Sequence, residues 1–263
     1  MRVTKAVIPA GGYATRFLPI TKGVPKEMMP IGSKPTVHFI VEELREAGIT
    51  DVLILIGRGR ECLVNYFDKN YELDDVLGHT KMNFFPDMNI IFKRVPLPKG
   101  AADNISFAKN FAGDDPFIVA YSDNIFFEGN PTRELVEDFQ THGKNVACVV
   151  EVVKEDAHKY GIVKPGREED SGIDVAEIVE KPQNPPSCLA GMGRYLLLPQ
   201  IFDFIEADRA ELSKEQEICM TRQLNKFARI NALRAVKTNS RSFDTGTPAS
   251  WHEANRYFFT LHP

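Results

Sequence analysis

A short glycine-containing segment, followed by two cations, is the part of this sequence whose residue types best suit phosphate binding. Ala10, Gly11 and Gly12 come directly after an apolar run, and Arg16 and Lys26 follow them. Small residues let the backbone approach a ligand closely and leave its N–H groups free to bind phosphate oxygens. Arginine adds a rigid fork of donors, and lysine adds a movable point charge. A tight turn explains the two glycines alone equally well, but the whole arrangement predicts a phosphate-binding loop.

Asp123 stands where a metal-binding carboxylate is expected. Asp123 follows the apolar run Phe117–Ala120, and a carboxylate at the carboxyl end of a central strand is well placed to hold a metal ion over a ligand. From the residues alone, Asp123 could instead cap a helix or a turn, and Asp244, which comes before Gly246, could equally be a turn residue.

Composition and motifs argue against several other classes of function. The net charge of −4 argues against nucleic acid or an anionic membrane as the main partner, and no apolar run approaches the roughly 18 residues of a membrane span. The sequence has no Gly-Lys-Ser/Thr ending of a P-loop and no proper G-x-G-x-x-G, so kinase and dehydrogenase functions lose their main support. The cations Arg58 and Arg60 and those of residues 93–99 are predicted to lie on solvated faces.

The cysteines and histidines indicate neither a disulfide nor a transition-metal site. The six histidines lack the spacing of a metal site. The cysteines are widely scattered, with no C-x-x-C pair among Cys62, Cys148, Cys188 and Cys219. Since disulfides are typical of oxidising compartments, we expect a cytoplasmic protein.

The elements that must position these residues follow an alternating order. Lys5–Pro9 and Asp51–Ile56 are apolar runs typical of buried parallel strands, and a helical pattern lies between them. Over residues 1–150 strands and helices continue to alternate, which predicts an α/β sheet with helices on both faces. From about residue 151, short strands lie among proline, glycine and charged residues. We expect a single domain, 1–263, whose second part extends the sheet.

Motifs along nearly the whole chain carry a resemblance to one enzyme family. They are Lys5–Pro19, Pro25–Ile31, Ile40–Glu43, Tyr160–Val163, Val179–Pro182, Gly193–Tyr195 and Phe243–Thr247. In these segments the chain resembles the bacterial UTP–glucose-1-phosphate uridylyltransferases, within the sugar-1-phosphate nucleotidyltransferases. The resemblance implies a Rossmann-like mixed, mostly parallel sheet flanked by helices, with a smaller sugar-binding extension. It also implies a nucleoside triphosphate and a sugar 1-phosphate as substrates, Mg²⁺ as cofactor, and a homo-oligomer, either dimer or tetramer.

The resemblance further assigns roles to individual residues. It implies catalytic roles for Arg16, Lys26, Asp123 and Lys181, and metal binding by Asp123 and Asp244. The residues that it implies for substrate binding are Ala10, Gly11, Gly12, Gly100, Gly161, Glu180 and Gly193. Glu180 is matched to the sugar hydroxyls and Lys181 to the sugar phosphate. From the residues alone, this dipeptide is typical of a solvated ion pair, and Gly161 and Gly193 are typical of turns or bulges.

Three departures from the family's pattern leave the substrate open. Ala14 stands where the family's loop has its second glycine, and Arg222 stands where the family has an acid. A glutamine that reads the uracil edge is missing from residues 94–104, although Gly100 is kept. Uridylyl transfer to glucose 1-phosphate is the first choice, and a related enzyme using dTTP, CTP or another sugar, including an acidic one, is the second. The third is a non-catalytic nucleotide-sugar-binding relative, against which the retained aspartates and lysines argue.

Overall fold

The chain is organised around one nine-stranded sheet. The structure, a computed structural model, describes residues 2–69, 72, 76, 84–96, 98–169, 172–213 and 216–262. The strands in these ranges are β1 (Lys5–Ala10), β2 (Pro30–Ile31), β3 (Lys34–Pro35), β4 (Asp51–Ile56), β5 (Asn89–Arg94), β6 (Phe117–Ala120), β7 (Asn124–Phe127), β8 (Asn145–Glu151), β9 (Gly161–Glu169), β10 (Gly172–Glu180), β11 (Leu189–Leu197), β12 (Leu233–Lys237) and β13 (Arg241–Asp244). The α-helices are α1 (Thr36–Glu46), α2 (Glu61–Phe67), α3 (Ala101–Ser106), α4 (Lys109–Ala112), α5 (Pro131–His142), α6 (Gln200–Glu211), α7 (Met220–Arg229) and α8 (Pro248–Leu261).

The parallel half of the sheet is built from four strands in the order β5-β4-β1-β6. β1 pairs in parallel with β4 and with β6, and β4 pairs in parallel with β5. The near-continuous apolar sequence of β4 is buried, as expected for a parallel strand covered on both faces. Because the strands are parallel, the loops that follow β1, β4, β5 and β6 all leave from the same edge of the sheet.

Strand β11 joins this parallel half to the second part of the chain. Its segment Arg194–Leu197 pairs antiparallel with β6, and β11 also pairs antiparallel with β8. β12 continues the sheet in parallel with β8, and β10 and β9 follow in antiparallel order. β9 returns to β11 where Ile162 faces Ala190, so five strands close a circuit. This mixed sheet confirms the Rossmann-like fold class expected from the sequence, with most of its parallel pairs in the first part.

Hydrophobic cores cover both faces of the sheet. On one face α1 buries Val37, Ile40 and Leu44, whose spacing places them on one stripe of the helix. On the other face the ring of Phe202 from α6 stacks on Phe117 of β6, with 5.5 Å between the ring centroids. Burying each such side chain contributes about 2 kcal/mol. The two cores therefore hold rigid the strand ends from which the loops begin.

Helix α8 fixes the β2–β3 hairpin. The indole nitrogen of Trp251 donates to the Pro30 carbonyl oxygen at 3.0 Å, and the Asn255 side-chain oxygen accepts from the Gly32 N–H at 3.0 Å. The segment just after Lys26 is thereby tied to the end of the chain. Among the described residues, no helix combines the length and the apolar character that crossing a bilayer requires.

Candidate functional site

The loop after β1 combines a close backbone approach with a left-handed alanine. Gly11 faces Gly57, where an added Cβ would lie 3.3 Å from the Gly11 carbonyl oxygen. Ala14 has φ 48° and ψ 47°, and its carbonyl oxygen accepts a 2.9 Å hydrogen bond from Thr21 Oγ1. An alanine in this conformation costs about 1 kcal/mol that a glycine would avoid. Ala14 therefore keeps a backbone shape that suits the glycine of the family's pattern.

A cavity of about 580 Å³ lies between this loop and the ends of β4 and β5. We call it the arginine cavity, after the cations among the residues that define it: Gly11, Lys22, Arg58, Arg60, Arg94 and Pro98. Within the part of the chain that the structure describes, no acidic or amide side chain lines it. The lining therefore presents hydrogen-bond donors and positive charge, and the carboxylate that interacts with Arg60, that of Glu27, lies outside the lining.

Arg60 is the buried member of this group. Its side chain is 8% exposed, and its Nη2 donates to the Gly12 carbonyl oxygen at 2.6 Å. The prediction that Arg60 lies on a solvated face is therefore wrong, because a backbone carbonyl of the loop after β1 gives the guanidinium a partner in the interior. The contact also links that loop to the start of α2.

A second cavity, of about 500 Å³, lies between the end of β6 and strands β9 to β11. We call it the carboxylate cavity and define it by six residues that the sequence predicts for the site: Asp123, Gly161, Glu180, Lys181, Gly193 and Asp244. These residues come from five separate strands or strand ends. The fold thus brings together most of the residues predicted for sugar and metal binding.

Asp244 reaches Asp123 through a short strand pairing. β13 pairs antiparallel with β7, and the register places Asp244 opposite Asn124. The N–H of Thr245 then donates to the Asp123 carbonyl oxygen at 2.6 Å. The two aspartates, which the sequence alone could not bring together, meet because of this pairing.

Lys26 makes a direct ion pair with Asp123. The Lys26 Nζ lies 2.6 Å from Asp123 Oδ2. Burial disfavours the charged form of both groups, but their mutual attraction outweighs it, lowering the pKa of Asp123 and, with the charge of Glu27, raising that of Lys26. Burial and the negative charge of Asp123 together raise the pKa of Asp244. The cluster therefore holds one ammonium group against two neighbouring carboxyl groups.

Gly246 keeps the space beside both carboxylates open. A Cβ added to Gly246 would lie 2.8 Å from Asp244 Oδ1 and 3.5 Å from Asp123 Oδ2. Carboxylate oxygens are the hard donors that Mg²⁺ prefers, and Mg²⁺ usually takes one or two carboxylates and completes its shell with water and phosphate oxygens. No cluster of three or more histidine, cysteine or acidic side chains with the geometry of a metal site occurs among the described residues. The residues present thus fit a magnesium ion shared with a phosphate ligand.

Glu180 and Lys181 stand at the end of β10, beside Thr221 of α7. Thr221 Oγ1 donates to Glu180 Oε2 at 2.7 Å, whereas Lys181 Nζ lies 3.8 Å from Glu180 Oε1. Both side chains of the pair are more than half exposed, and an exposed pair of this kind contributes little to stability. Glu180 is therefore oriented by Thr221, while Lys181 remains free to bind an anion.

Three of the predicted glycines make contacts that a side chain would disturb. Gly193 has φ 56°, and an added Cβ would overlap the side-chain amide of Asn124. Gly100 has φ 117°, and its Cβ would lie 2.7 Å from the Ile218 carbonyl oxygen. Gly161 faces Glu180, with 3.3 Å from an added Cβ to Oε2. Gly161 and Gly193 line the carboxylate cavity, whereas Gly100 supports the Ile218 segment next to it.

Five predicted residues lie outside the two cavities or only border them, and one of these, Lys26, reaches the carboxylate cavity through its contact with Asp123. Ala10 is buried at the end of β1, and Gly12 is exposed with its carbonyl oxygen held by Arg60. Arg16 is exposed, and its positive charge partly offsets the rise in the pKa of Asp244. Gly100 borders the site as described above.

Arg222 does not face the carboxylate cavity. Its Nε pairs with Asp208 Oδ2 at 3.0 Å, and Lys226 Nζ bonds the other oxygen of the same carboxylate at 2.7 Å. Because Arg222 already neutralises a buried acid of α6, it is not positioned to receive an acidic sugar. The expectation that Arg222 alters the sugar is therefore not met.

The carboxylate cavity also contains residues that the sequence analysis missed. Tyr121, Tyr195 and Thr221 line it beside the predicted residues. For the two tyrosines a signal existed, since each lies within two positions of a predicted site residue, Asp123 or Gly193. Thr221 offers no such signal, because it reaches Glu180 only through the packing of α7 on β10.

Comparison with known proteins agrees with the family resemblance found in the sequence. Residues 5–259 match the family described as nucleotidyl transferase. The UTP–glucose-1-phosphate uridylyltransferase of Staphylococcus epidermidis is 39% identical over 228 residues, which cover 82% of this chain and 79% of that protein. The UTP–glucose-1-phosphate uridylyltransferase 2 of Staphylococcus saprophyticus is 38% identical, covering 93% of this chain and 88% of that protein. The solved structure of a UDP-glucose pyrophosphorylase complexed with UDP-glucose matches with a TM-score of 0.88 and 30% identity, covering 99% of this chain and 100% of that chain.

Proposed function

This chain belongs to the nucleotidyl transferase family, and we propose that it joins UTP and glucose 1-phosphate to give UDP-glucose and pyrophosphate. Relatives and a structural neighbour similar over most of the chain are named for this activity. The observation that carries the proposal is the cluster of Lys26, Asp123 and Asp244 at the carboxylate cavity. The arginine cavity, at the loop after β1, adds a cationic site of the size that a nucleotide needs.

We assign the nucleotide to the arginine cavity and the loop after β1. Gly11 brings backbone N–H groups close to a ligand, and the cations around it attract a triphosphate. Arg58, Arg60 and Arg94 can only donate hydrogen bonds. Uracil and thymine offer such donors two carbonyl oxygens beside one N–H group, whereas cytosine carries an amino group in place of one of these oxygens and adenine has an amino group and no carbonyl oxygen. With no carboxylate or amide side chain among the described lining residues, UTP is favoured, with dTTP as the next candidate.

We assign the sugar 1-phosphate to the carboxylate cavity. Glu180, oriented by Thr221, accepts hydrogen bonds from sugar hydroxyls, and Lys181 binds the phosphate. Glu180 and Glu217 both line the cavity, and their negative charge disfavours an acidic sugar. A neutral hexose phosphate such as glucose 1-phosphate suits this lining better than the acidic sugars considered from the sequence.

The reaction is an in-line displacement at phosphorus. A phosphate oxygen of the sugar phosphate attacks the α-phosphorus of UTP, and the new P–O bond forms as the bond to the β-phosphate oxygen breaks. Pyrophosphate leaves with that electron pair. Since the attacking oxygen is already an anion, no strong general base is needed, and Arg16, Lys26 and Lys181 act by holding two polyanions in line and offsetting their charge.

We further propose that Asp123 and Asp244 hold Mg²⁺. The open space at Gly246 and the hard oxygen donors support this assignment. When bound, the ion supplies charge neutralisation at the phosphate oxygens. We also propose a homo-oligomer, dimer or tetramer, which light scattering tests, and a cytoplasmic location, which the free thiols of all four cysteines support.

The experiment that tests the function is a substrate panel. The purified protein with Mg²⁺ is incubated with UTP, dTTP, CTP or ATP, each with glucose 1-phosphate or glucuronic acid 1-phosphate, and pyrophosphate release is followed. We expect release with UTP and glucose 1-phosphate, a slower rate with dTTP, and at most traces with CTP, ATP or the acidic sugar.

Release with dTTP in preference to UTP would overturn the base assignment while keeping the reaction class. Release with the acidic sugar at the rate of glucose 1-phosphate would overturn the assignment of the carboxylate cavity to a neutral sugar. Binding of UDP-glucose without pyrophosphate release from any pair would favour a non-catalytic nucleotide-sugar-binding protein.

A further inference from the structure

Two residues of the sequence motifs, Glu43 of Ile40–Glu43 and Arg194 of Gly193–Tyr195, meet in the core and have no role assigned above. Glu43 of α1 and Arg194 of β11 form an ion pair, with Arg194 Nε 3.0 Å from Glu43 Oε1 and Nη2 3.0 Å from Oε2. Arg194 is fully buried, and Glu43 is 8% exposed. Thr132 Oγ1 of α5 donates to Glu43 Oε1 at 2.5 Å, so three elements converge on one carboxylate.

The guanidinium of Arg194 also bonds the backbone around Asp123. Nη1 donates to the Tyr121 carbonyl oxygen at 3.2 Å and to the Gly193 carbonyl oxygen at 3.3 Å. Nη2 donates to the Asn124 carbonyl oxygen at 2.8 Å. The carbonyls of Tyr121 and Asn124 stand at the two ends of the turn that carries Asp123. Arg194 therefore holds both ends of this turn from the facing strand β11, and its bond to the Gly193 carbonyl oxygen lies within that strand.

A need for stability alone does not explain a charge buried at this place. Removing arginine and glutamate from water is costly, and replacing such a pair with apolar residues is often neutral or stabilising. An apolar side chain, however, could not donate to three backbone carbonyls at once. The fork of an arginine can, provided that a carboxylate fixes its orientation.

Elsewhere in the molecule a second buried ion pair provides a comparison. Arg234 of β12 pairs with Asp138 of α5, at 3.0 Å from Nε to Oδ2, and both side chains are at most 2% exposed. Arg234 also lies 3.6 Å from Asp174. Neither acid lines the arginine cavity or the carboxylate cavity. The two pairs match in burial and in joining an arginine to a carboxylate, but Arg234 has Asp174 as a second acid, whereas Arg194 bonds the carbonyl oxygens of the turn that carries Asp123.

We infer that Arg194, oriented by Glu43, is a positioning residue that fixes the turn Tyr121–Asn124 so that the Asp123 carboxylate faces Lys26 and Asp244. Arg194 does not touch the reacting atoms, because it is enclosed beneath the turn. The inference that this matters for turnover rests on the proposed function, whereas the inference that Glu43 and Arg194 order the turn does not.

The matched test is Glu43→Gln against Asp138→Asn, each of which neutralises the acid of one buried pair while keeping its shape. Hydrogen exchange in the protein without substrate measures the order of the turn. We expect about tenfold or greater acceleration at the amides of Tyr121–Asn124 in Glu43→Gln and no local change there in Asp138→Asn. In turnover, we expect kcat to fall about tenfold or more in Glu43→Gln with KM for both substrates changed less than threefold.

Equal exchange at the turn in the two variants, or an equal loss of kcat, would show a general stability effect and overturn the inference. If the wild-type protein has no activity, the exchange measurement still decides whether the pair orders the turn. If Glu43→Gln does not fold, Thr132→Val serves instead, because it removes one hydrogen bond to Glu43 and leaves the ion pair. Unchanged exchange at the turn in Thr132→Val would then count against the proposed network.

Discussion

The arginine cavity and the carboxylate cavity differ in both construction and charge. The first is formed by loops at the ends of parallel strands, and its described lining carries lysine and arginine without a carboxylate. The second is formed mainly by β9, β10 and β11, and carboxylates and lysines line it together. A triphosphate is recognised by charge, which loops with exposed backbone N–H groups supply well. A sugar is recognised by hydrogen-bond geometry, for which strands give more rigid support.

The largest expected effect is on kcat, when Lys26 beside Asp123 is replaced at the place where the two substrates react. Lys26→Met removes the ammonium group that lies 2.6 Å from Asp123. We expect kcat to fall about a thousandfold, as when a major charge-stabilising donor is lost, with the fold retained. Lys109→Met, which removes an exposed cation outside both cavities, is the control and should change kcat less than about threefold. Equal losses in the two variants would show that only the total positive charge matters.

A smaller effect, on the KM of one substrate, should distinguish the arginine cavity from the carboxylate cavity. Arg60→Met removes a buried cation of the arginine cavity together with its hydrogen bond to Gly12. We expect KM for UTP to rise about tenfold or more, since a hydrogen bond from a charged group contributes about 2 kcal/mol. KM for glucose 1-phosphate should stay within about twofold. Initial rates with each substrate varied in turn provide the measurement, and a parallel rise in both KM values would argue against two separate subsites.

The complementary change is on the sugar side. Thr221→Val removes the hydroxyl that donates to Glu180 at 2.7 Å. Because Glu180 is half exposed and water can replace the hydroxyl, we expect KM for glucose 1-phosphate to rise only about fivefold, with KM for UTP unchanged. Ser250→Ala, on α8 and outside both cavities, is the control. If Thr221→Val raised KM for UTP instead, the assignment of the carboxylate cavity to the sugar would be wrong.

The smallest expected effect is on the free energy of unfolding, through Ala14 in the loop after β1. Ala14→Gly removes the strain of a left-handed alanine at φ 48°, which stabilises the folded state by about 1 kcal/mol. Glycine also makes the unfolded chain more flexible, and this entropy opposes folding by a somewhat smaller free energy. We expect the free energy of unfolding in urea to rise by about 0.5 kcal/mol or less. Ala207→Gly, at an exposed position in the middle of the helix α6, is the control and should lower it by about 0.5–1 kcal/mol. A loss of stability in Ala14→Gly would mean that the alanine methyl group makes a favourable contact.

The two cavities also differ in how much of them could be predicted from the sequence. The loop after β1 follows its strand directly, so residue order alone indicates Gly11 and Lys26. The approach of Asp244 to Asp123 depends on the pairing of β7 with β13, two strands of four residues each, whose partner choice no local pattern encodes. The sequence predicts a solvated cation at Arg60, because the partner that holds it in the interior is a backbone carbonyl remote in sequence.

For the helices too, the sequence predicts local features but not contacts between distant elements. The buried stripe of α1 could be read from the spacing of its apolar residues, because a helix face is set by local geometry. The partner of Arg222 could not, since Asp208 lies on another helix and their meeting depends on how α6 packs on α7. Thr221 was missed for the same reason. Contacts between elements far apart in the chain therefore account for most of what the sequence left undetermined.

The position of β11 in the sheet has a consequence for synthesis on the ribosome. β6 and β8 are made well before residue 189, yet both need β11 as a partner on one side. Until then their edges present unpaired N–H and C=O groups, the kind of edge that promotes association between chains. A fragment ending at residue 152 would keep those edges permanently and should aggregate. We therefore expect the first part of this chain to stay prone to association until β11 has been translated.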